Sequence, residues 1–125
     1  MREILFRGKR IDNGEWTQGA YFPKNDNYPA TIYTDDGLGA SVDPATVGQY
    51  TGLTDKNGKK IFEGDIVVEY DFFGEIFAMG PVEWSDLFVG WKVGGKTMYG
   101  ESLAIYRIIG NVHDPEIVGV SEEVQ

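Results

Sequence analysis

The sequence predicts an all-β or mostly β protein: small, bent antiparallel sheets, with an SH3-like barrel in the second half. Three observations carry that expectation. Apolar runs are short or alternate with polar residues, and Gly, Asn or Asp interrupts them. Glycine fills 17 of 125 positions, against roughly 7% in an average chain, and follows no collagen-like period, so it marks turns and bulges. Asn13-Gly14 and Asn57-Gly58 each sit between apolar segments, where a type I′ hairpin turn requires residues that tolerate positive φ.

The elements follow in order. Ile4-Leu5-Phe6 opens the chain, and Asp12-Asn13-Gly14 turns it into a strand from Trp16 to Phe22. Lys24 to Pro29 is a polar loop; Ala30 to Thr34 is a strand closed by Asp35-Asp36-Gly37. Val47 to Leu53 is extended, Asn57 and Gly58 form the tip of the next turn, and Lys60-Ile61-Phe62 returns antiparallel. Gly64 and Asp65 then break that strand as structural turn residues, and Ile66 starts another. Strand alternation puts Ile66, Val68 and Tyr70 on one apolar face, the expected core face, and Asp65, Val67 and Glu69 on the other. A turn spans Asp71 to Gly74. Segments Glu75–Met79, Val82–Trp84 and Leu87–Val93 follow, then a Gly94-Gly95 turn, Met98-Tyr99, one helical turn at Gly100–Leu103, and Leu103 to Val112. We expect a single domain over residues 1–118, with an N-terminal β region at about 1–45, a barrel-like region at about 46–112, and a flexible acidic tail at 119–125.

Composition narrows the function classes. With 42% hydrophobic and 25% charged residues, the chain can fold around a core. It has no cysteine, which excludes disulfides and thiolate metal sites. No apolar run approaches the roughly 20 residues of a membrane helix, and charge returns at once after Met1, so no leader and no membrane partner are expected and the host cytoplasm is the expected location. A net charge of −9 repels a duplex on average, which makes nucleic acid an unfavoured partner. Arg7, Lys9 and Arg10 read as a solvated strand face.

Several constellations invite chemistry. Gly90 to Thr97 formally matches G-x-x-x-x-G-K-[ST], with Lys96 and Thr97 as phosphate and Mg²⁺ contacts. Such a loop must leave a parallel strand and open a helix, and no βαβ pattern is present, so a Gly-Gly hairpin turn is favoured. Glu63 and Asp65, with Glu69, Asp71 and Glu83 nearby in sequence, could build a divalent-metal hydrolase or nuclease. The favoured alternative gives Asp65 a structural role, accepting backbone N–H bonds in the turn. His113 beside Asp114 suggests a general base, but adjacent strand residues point apart and Asp114-Pro115 opens a turn. Phe72, Phe73, Phe77, Trp84, Phe88 and Trp91 could stack single-stranded bases on a nucleic-acid-binding SH3-like barrel; with only Lys92 and Lys96 as cations between Glu63 and Arg107, core packing is favoured for most. Phe72 and Phe73 are the exception. Consecutive residues cannot both face one core, so one is expected on the surface as a protein-binding residue.

The run VDPATVGQYTGLTDKNGKKIFEGDIV (Val42 to Val67), the G-x-V-E-W element at Gly80 to Trp84, and IIGNVHDPEIV (Ile108 to Val118) together resemble the YopX family of phage and prophage proteins. The opening ILFRGKRIDNGEWTQGAYF (Ile4 to Phe22) is similar to that of family members. The resemblance covers Arg2 to Val118 and implies a small, mostly β protein; it supplies no catalytic residues to carry over. The reading that results is a phage or prophage accessory protein that works by binding rather than catalysis. It needs no cofactor and no metal. Self-association into a homo-oligomer is expected from exposed strand edges and spare aromatics, or capture of a host or phage protein with a basic surface.

Overall fold

The computed structural model describes residues 3–98 and 105–114. The expected helical turn at Gly100–Leu103, Tyr99 and the acidic tail lie outside the described residues. The chain forms β1 (Phe6–Lys9), β2 (Trp16–Phe22), β3 (Thr31–Tyr33), β4 (Gly39–Ser41), a 3₁₀ turn at Pro44–Thr46, β5 (Gly48–Thr54), β6 (Lys60–Phe62), β7 (Asp65–Tyr70), β8 (Ile76–Ser85), β9 (Gly90–Val93), β10 (Lys96–Thr97) and β11 (Ile105–Asn111). The all-β expectation is met. Among the described residues, no helix is long and apolar enough to cross a membrane. The chain divides into two compact units, Met1–Tyr50 and Thr51–Gln125, and the division falls inside β5.

In the first unit the antiparallel order is β4-β3-β2-β1, and Gly48 and Gln49 at the start of β5 pair with Arg7 and Phe6. Ala30, Ile32 and Val42 form its buried cluster, with Tyr21 and Val47 packed against it. Gly8 lets β1 lie close over this cluster: a Cβ there would stand 3.1 Å from Val47 Cγ2 and 3.3 Å from Ile32 Cδ1. The 3₁₀ turn is capped by Asp43, whose Oδ1 accepts from the Ala45 amide at 3.0 Å, and the Lys9 amide donates to Thr46 Oγ1 at 2.9 Å.

The second unit holds a five-stranded antiparallel sheet, β10-β9-β8-β7-β11, with β6 beside the later residues of β5. Its core gathers Ile61, Val67, Ala78, Val82, Val93, Met98 and Tyr106. The core face of β7 is therefore the Asp65–Val67–Glu69 side, not the wholly apolar Ile66–Val68–Tyr70 side. Of its two acids Asp65 is held by hydrogen bonds, as described below, whereas Glu69 is buried with one carboxylate oxygen unpartnered among the described residues; Val68 on the opposite side is also fully buried.

The barrel expected in the second half does not close. Closure requires the first and last strands to pair, whereas among the described residues β10 and β11 are the sheet's two edges. The segments expected at Glu75–Met79 and Val82–Trp84 form one strand. In β8, Ile76 to Pro81 pairs with β7 and Val82 to Ser85 pairs with β9. Gly80, at φ +154°, stands at the change of partner, and Pro81, which has no N–H to donate, sits where pairing passes from one neighbour to the other.

Candidate functional site

Three hairpins, β3–β4, β5–β6 and β7–β8, are closed by a repeated five-residue turn. Across Asp55–Lys59, the Asp55 amide donates to the Lys59 carbonyl at 2.8 Å and the Gly58 amide to the Asp55 carbonyl at 3.0 Å. Asp55 Oδ1 accepts from the amides of Asn57 and Lys59, each at 2.9 Å. Asp71–Glu75 repeats the set: Asp71 N to Glu75 O at 2.8 Å, Gly74 N to Asp71 O at 3.0 Å, and the amides of Phe73 and Glu75 to Asp71 Oδ1 at 2.9 Å each. Thr34–Leu38 keeps both backbone bonds, with Thr34 in place of the acid and its hydroxyl donating to Asp36. In each turn the fourth residue, Gly37, Gly58 or Gly74, takes positive φ, and the middle pair does not. This is a tight turn followed by a left-handed glycine, not the type I′ turn expected from the Asn-Gly pairs; Asn13 and Asn57 stay at negative φ while Gly14 and Gly58 do not.

That geometry asks for Asp and Gly at the first and fourth positions and leaves the middle pair pointing into solvent. Lys56-Asn57 and Asp35-Asp36 occupy the middle pair in two turns, as solvation favours. The β7–β8 turn instead holds Phe72 and Phe73. Both are exposed, at 68% and 83%, where only one was expected. Their rings meet edge to face at 5.5 Å. Next to them Ile76 and Phe77 are half-exposed, and Lys96 Nζ lies 4.9 Å from the centre of the Phe77 ring. The tip is thus an apolar patch flanked by the carboxylates of Asp71 and Glu75. A second apolar tip, Leu87-Phe88-Val89 at the β8–β9 turn, was expected as strand. There Val89 takes φ +50°, a conformation disfavoured for a β-branched residue, and all three side chains are exposed.

Gly64 and Asp65 hold structural positions. Gly64, at φ +93°, donates from its amide to the Val82 carbonyl at 3.0 Å and accepts from the Val112 amide at 2.9 Å. Asp65 is buried; its Oδ2 accepts from the Phe62 amide at 2.8 Å and its Oδ1 from Asn111 Nδ2 at 3.1 Å. Both oxygens are committed to the fold, and Glu63 remains half-exposed beside them. Glu69 lies four residues further along β7, about 13 Å at strand rise, and Glu83 faces Lys92 across β8 and β9. Among the described residues no three acids or histidines come together as metal ligands. Glu69 is buried and its carboxyl is pushed above the usual carboxylate range by desolvation, with the Lys96 charge acting in the opposite direction. Its Oε1 has no hydrogen-bond partner among the described residues.

The remaining constellations resolve structurally. Gly90–Thr97 is the antiparallel β9–β10 hairpin turned by Gly94-Gly95, with no helix at its exit as far as Met98, so it lacks the strand-to-helix cradle for phosphate. The His113 amide donates to Asn111 Oδ1 at 2.9 Å and the Asp114 amide to the Asn111 carbonyl at 3.0 Å, a turn stacked on the end of β11. Trp84 and Trp91 meet edge to face at 5.2 Å, Trp91 packing on the core. Arg7 and Lys9 lie over the Trp16 ring, at 4.4 and 5.4 Å, and Arg10 pairs with Asp12 at 2.7 Å.

The family model of the YopX protein matches residues 5–117, and the chain belongs to the YopX family. No curated protein matches it.

Proposed function

We propose that this YopX-family chain is a phage or prophage accessory protein that acts by docking a protein partner of basic surface through its β7–β8 hairpin tip, and not by catalysis. The observation that carries the reading is the pair Phe72-Phe73. The turn takes its shape from Asp71 and Gly74, so the fold has no use for two exposed rings between them. Exposed aromatics in a rigid loop are what buried interface centres are made from. The flanking Asp71 and Glu75, and a net charge of −9, favour a cationic counterpart and steer its approach. A hydrolase centred on Glu63 and Asp65 has less support, because both oxygens of Asp65 already accept bonds from Phe62 and Asn111.

The test compares the wild type with Phe72→Ser/Phe73→Ser. Host lysate, with and without phage infection, is passed over each protein, and each is run at several concentrations in sedimentation velocity. Proteins held by the wild type and released by the variant support the reading. A concentration-dependent dimer lost in the variant would make a second copy the partner. Identical retention and identical sedimentation would discard the tip as the interface.

A further inference from the structure

The first unit carries a cavity of about 510 Å³ at the loop joining β2 to β3, within the range of small-ligand pockets. Its walls are aromatic: Phe22 at the end of β2, Tyr33 at the end of β3, and Tyr28 between them. Phe22 and Tyr33 meet edge to face, centroids 5.4 Å apart and planes at 86°. The Tyr33 ring lies against the backbone of β4, so closely that a Cβ on Gly39 would come within 2.7 Å of a ring carbon. The backbone at Tyr28 is held by Asn25, whose Oδ1 accepts from the amides of Asn27 at 2.8 Å and Tyr28 at 2.9 Å, while the Asn25 amide donates to the Tyr28 carbonyl at 3.0 Å. Phe22 and Tyr33 are in contact, and all three rings keep exposed surface: Phe22, Tyr28 and Tyr33 are 54%, 69% and 44% exposed. Aromatic walls that stay open to solvent leave apolar area for a ligand to cover.

Two of its polar groups are committed to the fold. Asn25 Oδ1 serves the loop, and the Thr31 hydroxyl donates to the Pro29 carbonyl at 2.8 Å. Recognition therefore falls to the ring faces and to charge. Between Phe22 and Gly39 the chain carries Asp26, Asp35 and Asp36 against a single cation, Lys24. Electron-rich faces on a segment of net negative charge favour a cation. A guanidinium group is planar, stacks on aromatic faces and is more weakly hydrated than an ammonium. We infer that Phe22, Tyr28 and Tyr33 form a cage for an arginine side chain presented by a partner polypeptide. This site is separate from the Phe72-Phe73 tip and stands or falls without it.

The test is a titration of the full chain, followed by calorimetry and amide chemical shifts, with three blocked peptides: one bearing arginine between glycines, one with citrulline in its place, and a proline-rich one. The expected result is binding of the arginine peptide, with shifts confined to residues 22–39, and at least roughly tenfold weaker binding of the uncharged citrulline peptide. Tyr28→Phe keeps the ring face and should bind within about twofold of wild type, while Tyr28→Leu keeps apolar area only and should lose roughly five- to thirtyfold. Phe72→Ser/Phe73→Ser should bind like wild type. Equal affinity for arginine and citrulline, tighter binding of the proline-rich peptide, shifts centred on Phe72 and Phe73, or no binding at millimolar peptide would each overturn the assignment.

Discussion

A single backbone angle at Gly64 allows β6, β8 and the end of β11 to be tied together. Its amide and carbonyl both bond across to other segments, and nothing lies closer than 3.6 Å to where a Cβ would stand. Alanine would therefore fit sterically and fail conformationally. Gly64→Ala should cost about 1–2 kcal/mol in urea unfolding. Glu69 sets the sign of a second prediction. Burial raises its folded-state pKa above the unfolded value, so its contribution is favourable when protonated and is lost as pH rises through the folded pKa. Melting temperature measured from pH 4 to 8 should show that decline for the wild type, and Glu69→Gln should flatten it and melt higher at neutral pH. Unchanged slopes would remove Glu69 from the balance. The turn at Gly58 could be read locally, since this glycine shapes backbone within four residues, although Asn57 keeps negative φ; the bonds of Gly64 to Val82 and Val112 and of Asp65 to Asn111 join distant segments that no local pattern marks. Phe22, Tyr28 and Tyr33 were not legible in the sequence either. The loop between them looks only polar, and their convergence depends on β2 and β3 pairing and on the bare backbone of Gly39.

Among the elements, the repeated turn allows a controlled comparison. Asp71 accepts two backbone bonds at a half-buried position, and Asp71→Ala should cost about 1 kcal/mol. Asp55 accepts the same two, adds the Ile108 amide at 3.4 Å, and is 7% exposed; Asp55→Ala should cost about 2–3 kcal/mol. Phe72→Ser/Phe73→Ser should leave stability within about 0.5 kcal/mol, measured by the same denaturation. A large loss there would show that the rings support the fold. Strand existence was legible from alternation and turn residues. The course of β8 was not: Gly80-Pro81 reads as a break along the chain, but a strand that changes partner at that point needs no ladder donor from proline. The core face of β7 was misread for a related reason, since hydropathy alone cannot register that Asp65 arrives with two donors waiting for it.

For the whole molecule, charge makes a prediction of its own. With a net charge of −9, association with a basic partner should weaken as salt rises, mainly through a slower on-rate; stopped-flow binding between low and physiological salt checks it, and a flat response would point to an apolar interface alone. The all-β class was readable from composition and turn spacing. Barrel closure was not, because it depends on whether two distant edges meet, and no local pattern encodes that. The hairpin turn has one more consequence. Its shape is dictated by the carboxylate that opens it and the glycine that ends it, so the two residues between can be exchanged while register, twist and core stay as they are. Two codons are therefore enough to recast the chemistry that this tip presents, without rebuilding the protein beneath.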